Sequence, residues 1–505
     1  MIELNGTTLD LGQLKRIADG EAVTVGPEAM ARVKASRAIV EKLIADDRVV
    51  YGITTGFGHL CNTRIGKQDL ARLQTNLIRS HATGVGDPFP RPEVRAMIAI
   101  RLNSLLHGVS GVRPAVIDAL ADLLRHDVVP WVPQQGSVGS SGDLAPLSHI
   151  MLVLMGEGEV HGTDGRRHPA GPALKKAGLR PLHLEAKEGL ALINGTSVMT
   201  GVLGLAVERA LDLATAADII AALSLDVLKG STSPFDPQFL ALRPHAGIQE
   251  VGANVLACLA DSEIRASHVG CGKVQDAYSL RCIPQVHGAS REALRHIERQ
   301  VLTEMNSVTD NPILLSADRI ISGGHFHGQP MALAADYFGI AVAELANISE
   351  RRIDRLLNPL VSGMNPFLAK DPGVNSGLMI VQYTAASLVS ENKVLAHPAS
   401  VDSIPTSAYQ EDHVSMGTIA ARKGAQILRH TAQVLAIEWV CAAQGYEMIR
   451  PLGLGRGTKP AWELLRQHVP ALEEDRLLAP DLEKARDILW KGELVRHVRQ
   501  TIELR

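Results

Sequence analysis

Apolar residues recur at helical spacing over four long stretches, 197–228, 287–306, 331–357 and 416–449, with few residues inside them that break a helix. Helices of that length in one chain predict a central bundle. In 331–357 the small residues Ala332, Ala335, Gly339 and Ala343 fall on one helical face, which suits close helix packing. Before residue 195 the pattern is shorter and mixed. Stretches 27–45 and 92–106 read as helices between loops rich in glycine and proline, and 158–170 reads as a hairpin turning at Asp164-Gly165. A second hairpin is predicted over 313–322, with its turn near Asp318. Strand signals are otherwise sparse, and no repeat or low-complexity tract is present. The expectation is a mainly α chain in two regions: a smaller mixed region, 1–195, and a long-helix region, 196–505.

Composition narrows the function. A chain of 505 residues can bury a large core, and a net charge of −3 gives no electrostatic case for nucleic acid or an anionic membrane. A small-molecule ligand is the expectation. The five cysteines, Cys61, Cys258, Cys271, Cys282 and Cys441, are odd in number and lack C-x-x-C spacing, which predicts reduced thiols in a cytoplasm. The N-terminal MIELNGTTLD has no signal-peptide pattern, and charges interrupt the apolar stretches, so no membrane span is expected.

The run Gly136-Ser137-Val138-Gly139-Ser140-Ser141-Gly142-Asp143 holds the most distinctive chemistry. At a sharp bend of the kind glycine permits, the Gly142 nitrogen can attack the Ser140 carbonyl carbon. Loss of one water closes a five-membered ring, and loss of a second from Ser141 leaves a 4-methylidene-imidazol-5-one (MIO), an electrophile built from the chain itself. A flexible serine-glycine turn is the simpler use of the same residues. A serine hydrolase elbow does not fit, because Asp143 stands where its last glycine belongs. A Ser-Ser-Lys amidohydrolase would have to bring a lysine from far away, since none lies between Lys67 and Lys175.

The string GSVGSSGDLAPLSH (136–149) resembles the signature of the aromatic amino acid ammonia-lyase family, in which the tripeptide is usually Ala-Ser-Gly. The resemblance continues through YGITTGFG (51–58), LIRSHATGVG (77–86), EGLALINGT (188–196), KVQDAYSLRCIPQVHG (273–288) and SVDSIPTSAYQEDHVSMG (400–417). It implies a fold of long central helices with the ring-bearing loop at helix N-termini, and a homotetramer whose active sites draw on more than one subunit. It also implies MIO as the cofactor, formed from Ser140, Ser141 and Gly142 with nothing added from outside. Ser80-His81 and Gln410-Glu411-Asp412-His413 resemble the members that act on histidine. Elimination of ammonia to give trans-urocanate, the first step of histidine degradation, is therefore implied; action on tyrosine or phenylalanine, or a 2,3-aminomutase reaction, is the neighbouring alternative.

Elimination needs an electrophile, a base, a carboxylate clamp and a side-chain pocket. On its own, Asn194 reads as a turn or cap residue ahead of a long helix, and Tyr51 as an aromatic in a glycine-rich stretch suited to a mobile lid. The resemblance makes Asn194 the asparagine beside the ring and Tyr51 the base for the β-proton. It also makes Arg281 the carboxylate clamp, where a planar guanidinium offers two parallel donors. Gln275 and Tyr278 become polar contacts near substrate and ring, Phe326 an apolar wall, and His81 with Glu411 the imidazole partners. Ser140 departs from the usual alanine, but ring closure uses only its backbone carbonyl. His325 and Tyr409 stand where the histidine-specific members commonly carry asparagine. His325-x-His327 and Glu411-Asp412-His413 contain metal-ligand types, yet without a H-E-x-x-H spacing no catalytic metal is expected. Gly453 to Gly457 lacks the lysine and hydroxyl of a phosphate-binding loop.

Overall fold

The computed structural model describes residues 1–56, 63–272 and 274–505, and the protein is mainly α. Phe57, Gly58, Cys61 and Lys273 lie outside the described residues. Two compact units form. The first is Met1–Glu208, Ile297–Asp336 and Pro398–Lys423; the second is Arg209–His296, Tyr337–His397 and Gly424–Arg505. A single boundary near residue 195 therefore does not describe the division. Four of the five cuts fall inside the four long helices, and helical periodicity carries no information on which end of a helix packs with which unit.

Those helices are Ser197–Val227, Ile283–Met305, Gln329–Leu357 and Gly417–Ile449. Two begin earlier than the apolar pattern suggests because Pro284 and Pro330 sit in the first turn, where a missing N–H costs nothing. Gln329–Leu357 is as long and apolar as a membrane span, but 72% of its most apolar window is buried inside the protein, as in a core helix. Among the described residues it is the one helix that passes that test.

In the first unit, the helix Arg91–Leu105 is buried on all sides from Val94 to Leu105, as a core helix must be. Its buried Arg95 is satisfied by the carbonyls of Ile17 at 2.8 Å and Leu124 at 3.2 Å. The two predicted hairpins form, pairing Glu159–His161 with Arg167–Pro169 and Ile313–Ser316 with Arg319–Ile321. Two further short pairs join Ile2–Leu4 to Val23–Val25 and Val85–Pro88 to Pro133–Gln135. In the second unit, the buried Arg352 is matched to Glu438 at 2.5 and 2.8 Å. Buried Asp218 accepts from His287, Arg291 and Asn254 at 2.6–2.9 Å. Charges this deep persist because each has a partner.

Candidate active site

Glycine conformations and long-range bonds together shape the Ser140-Ser141-Gly142 turn. Gly139 and Gly142 bridge each other and close a tight turn with the two serines at its tip, both glycines taking left-handed φ of +73° and +78°. Gly142 also runs against Gly195, where an added Cβ would meet the Gly195 carbonyl oxygen at 2.1 Å. No residue but glycine fits there. Two backbone bonds lock the crossing, Gly195 N to Ser141 O at 3.1 Å and Asp143 N to Gly195 O at 2.8 Å.

Three helices start beside this turn, at Leu144, Ser197 and Gly417. The buried Asp143 carboxylate accepts from the Val198 and Met199 amides at 2.8 and 3.0 Å and from the Thr418 hydroxyl. Burial nevertheless pushes its carboxyl up to about 6, against the opposing effect of those bonds. Ser415 donates to the Gly139 carbonyl at 3.2 Å, and the Met416 amide to that of Val138 at 2.9 Å. Helix N-termini carry partial positive charge, so this corner favours negative charge developing near the tripeptide.

A cavity of about 860 Å³ opens over the turn. Ser140, Ser141, Tyr51, His81, Asn194, Phe326 and Glu411 line it, and every lining residue belongs to the first unit. Glu411 Oε1 lies 3.4 Å from the Ser141 hydroxyl, while Oε2 accepts from Thr406 at 2.8 Å. Glu411 follows three consecutive residues with left-handed φ, Ser407, Ala408 and Tyr409 at 52°, 53° and 66°. Paired backbone bonds between Thr406 and Glu411 close that loop.

His81 ends the helix Leu70–His81, and its Nδ1 lies 3.0 Å from the Ser80 hydroxyl, which itself donates to the Leu77 carbonyl at 3.0 Å. A His81 tautomer with its hydrogen on Nδ1 satisfies both contacts and leaves a lone pair on Nε2. Burial lowers the His81 pKa, favouring this neutral form. Asn194 stands at the C-terminal end of the short helix Glu188–Ile193 rather than as a cap on the long helix that follows. Its side-chain amide donates to the Asn311 carbonyl at 3.1 Å and lies 3.5 Å from Asp310, and its own carbonyl accepts from Arg101 at 2.8 Å.

Gln275, Tyr278 and Arg281, expected near the substrate, belong to the second unit and do not line the cavity. Gln275 and Tyr278 are exposed, and the Arg281 guanidinium lies over the Tyr278 ring at 4.6 Å. His325 and Tyr409 do not line the cavity either; Tyr409 is 80% exposed. The cavity instead takes in Asn311, His327 and His413, which the motifs did not single out as pocket residues. The His327 and His413 rings stack with centroids 5.6 Å apart. Among the described residues no group of three histidine, cysteine or acidic side chains is placed to hold a metal ion.

The profile of the family described as aromatic amino acid lyase matches residues 9–467. The histidine ammonia-lyase of Myxococcus xanthus is 50% identical over 500 residues, covering 99% of this chain and 98% of that protein. The crystal structure of histidine ammonia-lyase from Trypanosoma cruzi superposes with a TM-score of 0.92 at 41% identity, covering 99% of this chain and 96% of the other. Tyrosine aminomutase from Streptomyces globisporus superposes with a TM-score of 0.95 at 39% identity, covering 100% and 99%.

Proposed function

Because the chain belongs to the aromatic amino acid lyase family, we propose that it is a carbon–nitrogen lyase whose cavity eliminates ammonia from L-histidine to give trans-urocanate, the first step of histidine degradation. The observation that carries this reading is the placement of Glu411 and His81 on the wall of the cavity that holds Ser141. Both offer acceptors, Glu411 through Oε1 and His81 through Nε2, and an imidazole offers one N–H when neutral and two when protonated. A benzene ring offers none.

The residues at the turn fit an MIO group. Gly142 has no Cβ to obstruct the chain crossing, and the Gly139–Gly142 bridge already bends the chain. Closure would join Gly142 N to the Ser140 carbonyl carbon with loss of one water, and Ser141 would lose a second. The finished ring supplies an electron-accepting methylene at the former Ser141 Cβ. Around it, Tyr51 would take the β-proton, Phe326 would form an apolar wall, and Asn194 would stand beside the substrate's amine.

Gln275, Tyr278 and the carboxylate clamp Arg281 would come from a partner copy in a homotetramer. Exposed apolar residues on long helices support such an assembly, among them Leu333, Ile380, Tyr383 and Val394, each more than half exposed. Mixing a Ser141→Ala chain with an Arg281→Lys chain, after dissociation and reassembly, would then restore activity. The free thiols of Cys258, Cys271, Cys282 and Cys441 suit a cytoplasmic enzyme.

The likeness to a tyrosine aminomutase favours a second reading, in which the ammonia returns to the β-carbon. Incubation with histidine, tyrosine and phenylalanine separately, with ammonia and organic products quantified together, tests both. Urocanate and ammonia in equal amounts from histidine support the lyase, and a β-amino acid as the main product would replace it.

A further inference from the structure

We propose that the buried ion pair Lys187–Asp310 is a positioning pair that fixes which end of the Asn194 amide faces the cavity, so that the substrate's amine meets a hydrogen-bond acceptor. The inference rests on the lyase reading above.

Lys187 and Asp310 are both fully buried, with Nζ 2.6 Å from Oδ2. Lys187 holds a left-handed φ of 74° immediately before the helix Glu188–Ile193, a conformation that disfavours any residue but glycine. A lysine there is a poor choice for the backbone, which points to the use of its ammonium. The helix has only six residues, too few to persist alone. Asp310 reaches both of its ends, through Lys187 and through Asn194.

Asp310 Oδ1 accepts from the Asn311 amide at 2.7 Å and lies 3.5 Å from Asn194 Nδ2; the Asn311 carbonyl accepts from that same Nδ2 at 3.1 Å. Asn194 therefore faces two oxygen acceptors on its inner side. Turning the amide over would set its own oxygen against both of them. Lys187 Nζ donates to Asp310 Oδ2, which leaves Oδ1 as the oxygen that faces Asn194 and the Asn311 amide. Nδ2 is thus committed inward, and Oδ1 is left for the cavity that Asn194 shares with Ser141. An ammonium or amine carries the N–H groups that such an acceptor takes. Arg101, bonded to the Asn194 carbonyl, fixes the backbone and is a second buried cation acting on Asp310.

Lys187→Met combined with Asp310→Asn keeps size and removes both charges, and the new amide can present hydrogens to Asn194. Four results are expected. Turnover of L-histidine falls about tenfold or more. Binding of D-histidine weakens about fivefold or more, while 3-(imidazol-4-yl)propanoate, which lacks the amine, binds within about twofold of the parent. Intact mass still shows the loss of two waters. In an Asn194→Ala background the same two changes alter turnover by less than about twofold. Equal weakening of both ligands, or an undiminished effect without Asn194, would overturn the proposal in favour of a purely structural pair. Should the double variant not fold, Lys187→Arg keeps a charged donor on Asp310 and must retain the preference for the amine-bearing ligand; its loss overturns the idea. If the parent releases no ammonia from histidine, the lyase reading fails instead, and the same comparison is made with the amine-bearing and amine-free forms of whichever aromatic amino acid it does convert.

Discussion

Replacing Glu411 by glutamine tests the imidazole pocket with almost no change of shape. The Thr406 hydroxyl donates to Glu411 Oε2 at 2.8 Å, and paired backbone bonds hold residues 406 and 411 together. In the variant, that hydroxyl keeps the single remaining amide oxygen, which turns the new NH₂ toward the position Oε1 occupies, 3.4 Å from Ser141 Oγ. A donor then faces the N–H of the substrate imidazole. A lost charge-assisted bond is worth about 1.5–3 kcal/mol, so kcat/KM for histidine should fall by roughly 10- to 150-fold. The rate is read from urocanate absorbance. Inhibition constants provide the control: that of urocanate should rise in parallel, while that of cinnamate, with no N–H to offer, should stay within about threefold. His81→Phe, added to it, should deepen the loss for histidine alone. An equal loss of affinity for cinnamate, or an unchanged efficiency on histidine, would falsify the assignment of Glu411 to the imidazole.

Ser141→Ala should abolish the methylidene group and nearly all turnover while the fold remains, because the second water comes only from the Ser141 hydroxyl; intact mass then no longer shows the loss of two waters, whereas Ser140→Ala retains both ring and activity. Arg281→Lys keeps a charge but loses the planar fork, so catalytic efficiency should drop about tenfold or more; unchanged kinetics would move the carboxylate clamp elsewhere. Asp143 gives a pH signature. Its folded carboxyl is raised to about 6 from an ordinary value of 3.8, so it contributes stability that is complete below about pH 4 and lost as pH rises through 6. The linkage is roughly 3 kcal/mol. The stability of the parent relative to Asp143→Asn, followed by thermal unfolding, should therefore decline between pH 4 and 7, and a flat difference refutes the assignment.

The long helices were legible because each repeats its apolar face over many turns, and Pro27 marks the start of Pro27–Ala45 in the sequence as it does in the structure. Three-residue strands such as Ile2–Leu4 leave no comparable pattern, since their pairing with Val23–Val25 depends on residues twenty positions away. At the site, the tripeptide announced itself through its own chemistry, whereas His81 and Glu411 were singled out by the company of neighbouring motifs. Lys187, Asp310 and Arg101 escaped notice. Such residues ordinarily lie on surfaces, and only the folded chain reveals that all three are buried. Gln275, Tyr278 and Arg281 were legible as a motif, but spacing along a chain cannot say whether a side chain will line the cavity.

The Gly139–Gly142 turn depends on residues that the ribosome makes much later. Its bonds come from Gly195, Ser415 and Met416, and the adjoining Asp143 is held by Thr418. When residue 142 leaves the exit tunnel none of these exists, and the chain there is ordinary serine and glycine. An electrophile formed at this turn would therefore be installed only after synthesis is nearly complete, on a chain that has already brought its distant parts together. A stalled or truncated product would then carry no electrophile for surrounding amines and thiols to attack. Possession of the proposed ring would in this sense be a certificate of folding, issued by the same contacts that shape the turn.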